Sequence, residues 1–283
     1  ESHYYKLISS IIFFYLLYFS KCTSYFIGST GNRYNYPVSS NTVQIYDSAF
    51  FYFHTLDKQA GGCILIDNIA YTIDFNSLGF TNCSTENEGG AVFIKSYKIH
   101  FSHICAYLCE APYYNHQFAR VGCETEHDLN VLSYITISSC GANNKGKAAF
   151  GACGPGYYPI EYLNSSNNLN NPSDTDSYGA CYRTGSALRH RLIYFNFMNS
   201  RGYDVFNTYF FNAKPLNNQS YFLNGNVFNC STTTIFRFLG INVIDNVRFA
   251  RLELSDSTFQ SGVYDKTHTL TITNSIFDKA QKK

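Results

Sequence analysis

The chain has 283 residues, 45% hydrophobic but only 14% charged, with a formal net charge of +1. That length and apolar content exclude a chain disordered by composition and suffice for one large core or one elongated repeat domain. The near-neutral charge gives no basic surface for nucleic acid or an anionic membrane, so polarity rests on Asn, Ser and Thr. Twenty-five Tyr and 25 Phe stand against no Trp and one Met. Aromatic residues favour strands, although an AT-rich genome enriches Tyr, Phe, Asn and Ile whatever the fold.

Leu7 to Ser20 is an uncharged apolar run preceded by Lys6 and followed by the small residues of Ser20-Lys21-Cys22-Thr23-Ser24. It is shorter than the roughly 20 residues of a membrane span, so residues 1–24 are read as a signal peptide, cleaved after Cys22 or Ser24. The competing readings are an uncleaved anchor and a buried element. No later run approaches spanning length, so the mature chain is expected to lack a membrane span. The expected compartment is extracellular or the cell surface.

Export also bears on the ten cysteines, at positions 22, 63, 83, 105, 109, 123, 140, 153, 181 and 230. An oxidising space predicts disulfides, and loss of Cys22 leaves an odd number, hence one thiol free or paired with another chain. Cys105-Ala-Tyr-Leu-Cys109 raises zinc as the alternative, but one such pair without a second is a weak signal, and no metal or cofactor is expected. Four sequons offer glycosylation candidates at Asn82, Asn164, Asn218 and Asn229.

Recurrence is the most informative feature. Gly61-Gly62-Cys63-Ile64-Leu65-Ile66 returns 28 residues later as Gly89-Gly90-Ala91-Val92-Phe93-Ile94, each time between a polar stretch and a short apolar run. Gly61, Gly62, Gly89 and Gly90 are read as structural corners, where a missing Cβ permits a sharp turn and close backbone approach. A second unit is a strand of alternating polarity ending in an Asn-rich or Ser-rich turn. It appears at 73–80, 134–138, 192–197, 252–259 and 270–277. Cysteine recurs three residues after an apolar one at Phe80/Cys83, Ile137/Cys140 and Val227/Cys230, at intervals near multiples of a 28- to 30-residue period.

Short strands at this spacing, with no helical periodicity between them, predict an all-β, right-handed parallel β-helix over 25–283. The competing architecture is a β-sandwich. Two segments interrupt the rhythm, near 105–128 and 141–190, and their Pro, Gly and Asn content reads as long loop insertions. Cys105, Cys109, Cys123 and Cys153 lie in or near them and would staple them down.

Gly89-Gly90-Ala91-Val92, with Phe80-Thr81-Asn82 before it, resembles the polymorphic-membrane-protein-like family, whose GGA[IVL] and FxxN tetrapeptides repeat on a right-handed parallel β-helix. The resemblance covers about Asp47 to Cys109 and is faint through Leu192 to Phe277. Gly61-Gly62-Cys63-Ile64 departs from it by Cys for Ala, and shorter Phe-x-Asn forms replace FxxN. It implies surface display and adhesive or immune-facing roles, without chemistry to carry over.

Parallel β-helices also cleave acidic polysaccharides, which needs converging carboxylates, or a base beside calcium-binding acids. Asp67, Asp74 and the Glu124–Asp128 cluster are the candidates. Arg189-His190-Arg191 could bind an anionic sugar but more simply marks an exposed strand start, and His100 and His103 are expected to face solvent. A non-catalytic binding or adhesion module, with glycans or cell-surface proteins as partners, is therefore the first reading. A polysaccharide lyase or glycoside hydrolase of the same fold is the second.

Overall fold

The computed structural model describes residues 24–28, 31–112, 116–123, 130–141, 148–169, 181–185, 189–209, 219–238, 241–254, 259–261, 269–278 and 281–282. Its elements are strands throughout. They stack as a parallel β-helix of about seven turns. One sheet runs in chain order through Ser24–Ile27, Thr42–Phe51, Thr72–Thr81, Lys98–Tyr107, Val131–Ser138, Tyr157–Ser166, Arg189–Met198, Gln219–Phe228, Ile241–Ala250 and Thr269–Thr273. A second runs from Ile64–Asp67 through Val92–Ser96, Ala119–Cys123, Phe150–Cys153 and Tyr182–Gly185 to Arg201–Tyr209, Ser231–Phe238 and Glu253–Leu254. Val38–Ser39 is the exception, pairing antiparallel with Thr42–Val43.

Two backbone devices wrap the chain into coils. The long strands bend in the middle at one residue with φ between 45° and 59°. These are Asp47, Ser77, His103, Tyr134, Tyr162, Tyr194, Asn224 and Asn246, with Asn274 in the last described coil. A second left-handed residue ends each strand, as at Asn82, Leu108, Ser139, Asn167, Asn199 and Asn229. The following residue turns inward and its carbonyl accepts from the next coil. Glu110 N bonds Cys83 O, Gly141 N bonds Cys109 O, Leu169 N bonds Cys140 O and Arg201 N bonds Asn168 O. The spaced cysteines of the sequence are thus one inward turn position, at which Cys83, Cys109, Cys140, Asn168, Ser200 and Cys230 follow one another.

The interior is filled by period-2 side chains: Val43, Ile45, Ile73, Phe75, Ile99, Phe101, Leu132, Ile160, Leu192, Phe222 and Ile244 are all buried. Aromatic rings continue the stacking axially, with Phe26 on Phe50 at 5.2 Å and Phe50 on Phe80 at 5.1 Å between centroids. At the glycine pairs, Gly61 and Gly89 take φ of 71° and 67°. A Cβ at Gly62 would collide with the carbonyls of Gly90 and Ser84, and one at Gly90 with those of Gln117 and Glu110.

The segments read as loop insertions are crossed by the stack. Ala119–Cys123, Phe150–Cys153, Tyr157–Ser166 and Tyr182–Gly185 are strands within them. Gly, Ala and Cys dilute the apolar alternation of the shortest of these, which hides them in the sequence. Residues 113–115, 124–129, 142–147, 170–180 and 186–188, in or beside those segments, lie outside the described residues, as does the signal-peptide segment up to Thr23.

The disulfide expectation is corrected as well. None of the nine described cysteines is in a disulfide, and seven are buried. Cys83, Cys109, Cys123 and Cys140 point into the core or its turns rather than into stapled loops. Burial pushes the Cys63, Cys109 and Cys181 thiols well above their ordinary range, so they behave as small apolar fillers. Cys22 lies outside the described residues.

Candidate functional site

The mid-strand bend places one side chain per coil on an outer corner. Over four successive coils that residue is aromatic. His103 stacks on Tyr134 at 4.6 Å, Tyr134 on Tyr162 at 4.6 Å and Tyr162 on Tyr194 at 4.9 Å, with interplanar angles of 14°, 6° and 18°. The three tyrosines are 48%, 38% and 47% exposed, so this ladder is a surface feature and not core. Their faces cover one another, leaving edges and hydroxyls to solvent.

Left-handed backbone costs an ordinary L-residue roughly 1–2 kcal/mol, and among residues with a side chain Asn is one of those that tolerate it best. The same corner is Asn at 224, 246 and 274. The tyrosines therefore occupy positions where folding alone favours another residue, and strain of this kind marks functional surfaces.

Beside the tyrosines runs a second ladder, two residues further along each strand. Asn196 Nδ2 donates to Asn164 Oδ1 at 2.9 Å, and Asn226 Nδ2 donates to Asn196 Oδ1 at 2.9 Å. The amides are oriented alike and lie along the coil axis. A shallow groove of about 320 Å³ is bounded by Tyr162, Asn164, Tyr194, Asn196, Asn224 and Asn226. A second, of about 270 Å³, continues from Asn224 and Asn226 to Asn246, Arg248 and Asn274. Among the described residues lining the two, Arg248 is the one charged side chain.

The residues considered for catalysis fall elsewhere. Asp74 lies in a larger groove of about 600 Å³ with Thr42, Gln44, Lys98 and His100. His100 Nδ1 lies 2.7 Å from Asp74 Oδ1, and Tyr46 donates its hydroxyl to Asp74. That bond to the carboxylate pushes the Tyr46 phenol up to about 12. Among the described residues, Asp74 is the only carboxylate lining this groove; Asp67 belongs to the other sheet, registered with Lys95. The Glu124–Asp128 cluster lies outside the described residues. Among those described, no three His, Cys, Asp or Glu side chains gather closely enough to hold a metal, Cys105 and Cys109 included.

His190, read as the exposed start of a strand, is fully buried and bonded to the Tyr182 hydroxyl, while Arg189 and Arg191 face out. His103 is exposed as expected, but His100 is half-buried against Asp74. Of the glycosylation candidates, Asn229 is exposed and bonds Asn199 at 2.8 Å, Asn82 and Asn164 are half-buried, and Asn218 lies outside the described residues. The tyrosine ladder escaped the sequence reading. Tyr134, Tyr162 and Tyr194 are separated by unequal intervals in a chain rich in Tyr, and only the coil register brings them together.

No family model, curated protein or solved structure matches this chain. Among the described residues, no helix is long and apolar enough to cross a membrane.

Proposed function

We propose that the chain is a non-catalytic binding module, exported or displayed at the cell surface, which takes an extended neutral glycan along its outer corner. The carrying observation is the exposed stack of Tyr134, Tyr162 and Tyr194 at positions where the backbone favours Asn. Parallel coils repeat about every 4.8 Å, so hydroxyl, amide donor and amide acceptor recur along a straight line. A polymer with regularly spaced hydroxyls can meet several such rungs at once, each contact weak and the sum specific. The near-absence of charge in the two grooves favours a neutral polymer over an acidic one. The resemblance to the polymorphic-membrane-protein-like family agrees with display and adhesion.

The enzyme reading has one observation in its favour, the Asp74–His100–Tyr46 cluster, whose Asp74 and His100 line a groove of about 600 Å³. A lone carboxylate there, already engaged by two partners, offers one half of an acid–base pair.

The test is a glycan array probed with the full chain and with a Tyr134→Asn/Tyr162→Asn/Tyr194→Asn variant, beside a reducing-end release assay on every glycan bound. The proposal expects binding by the parent, at least about tenfold weaker binding by the variant at unchanged far-UV circular dichroism, and no released ends. Equal binding by both proteins, or capture of protein ligands alone, overturns the glycan face. Released ends abolished by Asp74→Asn would establish the enzyme instead.

A further inference from the structure

Away from the tyrosine corner, the outer face of the short-strand sheet carries a thiol next to an imidazole. Cys153 closes the strand Phe150–Cys153, and its Sγ lies 3.8 Å from His116 Nε2. It is one of two described cysteines that are partly exposed, Cys105 being the other.

Several features hold this pair in place. His116 is 1% exposed, and its carbonyl accepts from Gly89 N at 3.0 Å and Gly90 N at 3.3 Å, tying it to the glycine corner. The ring lies over Gly151, where any Cβ would collide with it. The strand end is fixed by Tyr158, whose hydroxyl donates to Cys153 O at 2.9 Å and accepts from Cys123 N at 2.7 Å. Glycines also flank the thiol. Gly185 is its register partner on the next coil, and Gly122 packs against its carbonyl from the previous one. Arg183 is the register partner of Gly151 on the next coil and is half-buried.

We propose that Cys153 and His116 form a thiol-exchange site that takes a small disulfide bearing carboxylates. Exchange requires an accessible thiol, a base to receive its proton and a path for in-line approach, and it requires no oxyanion donors. Cys153 Sγ attacks one sulfur of the incoming disulfide as its proton passes to His116 Nε2. A new Sγ–S bond forms, the old S–S bond breaks, and the departing thiolate carries the electron pair and recovers the proton from His116. The protein thiol is oxidised and the released thiol reduced, so no further oxidant is needed. Arg183 favours the anionic ligand.

The full chain is treated under native conditions with dithiobis(nitrobenzoate), an anionic chromogenic disulfide, and the modified thiols are mapped by peptide mass. Cys153 is expected to react on the order of tenfold faster than Cys105, which serves as an internal reference of similar exposure. Cys153→Ser removes the fast phase. His116→Ala lowers the Cys153 rate to that of Cys105, and free imidazole, able to enter the vacated space, restores it. If His116→Ala exposes the buried thiols, His116→Gln, which keeps the volume, carries the same comparison. The proposal is overturned if Cys105 reacts as fast as Cys153, if replacing His116 leaves the Cys153 rate unchanged, or if imidazole restores nothing in a folded variant.

Discussion

Acid should weaken this fold through one residue that the sequence placed on the surface. His190 is fully buried, its Nε2 bonded to the Tyr182 hydroxyl and its ring 4.9 Å from Tyr182 and 5.7 Å from Phe222. Burial pushes its pKa down from 6.5 to about 3. The unfolded chain therefore binds a proton that the folded core refuses. The stability contributed by neutral His190 is complete above 6.5, is lost as the pH falls below that value, and levels off near 3. Each pH unit in that window costs about 1.4 kcal/mol, so moving from about pH 7 to about pH 5 removes about 2 kcal/mol. Asp57 and Asp245, whose pKa values are lowered by bonds to Arg33 and to Thr273 respectively, lose their contributions only at lower pH. Urea unfolding followed by tyrosine emission at both pH values, on the parent and on His190→Gln, isolates the residue. The glutamine keeps an acceptor for Tyr182 but cannot titrate. Its loss on acidification should be smaller by about 2 kcal/mol. An equal loss in both proteins would refute a neutral buried imidazole.

Gly62→Ala should abolish folding or cost several kcal/mol, because the new Cβ meets carbonyls of the neighbouring coil that cannot swing aside; thermal melting reads this directly. Tyr162→Asn, in contrast, should change stability by no more than about 1 kcal/mol, since relief of left-handed strain offsets two lost stacking contacts. A large loss on that substitution would make the ladder structural. Phe80→Ala, which removes a fully buried ring stacked on Phe50, should cost about 3–5 kcal/mol by urea unfolding. Asn196→Ala breaks both amide bonds of its ladder and should cost about 1 kcal/mol.

What the sequence determined by itself was local. Alternation of apolar and polar residues at 73–80 and 192–197 marks strands because side chains on a pleated backbone point to opposite faces. The glycine pairs at 61–62 and 89–90 announced tight corners for the same kind of reason. The recurrence of cysteine after Phe80, Ile137 and Val227 marked a coil position, although its role as a core filler rather than a cross-link depended on which way the turn faces. The tertiary structure alone decided what stands above what. Successive coils differ in length, so no fixed period aligns Tyr134 with Tyr162 and Tyr194, or carries His116 to Cys153, 37 residues away. It also decided that His190 is inside while Arg189 and Arg191 are outside. Strand pattern is written residue by residue, but register is set by backbone hydrogen bonds between distant coils, and both surface sites here are products of register.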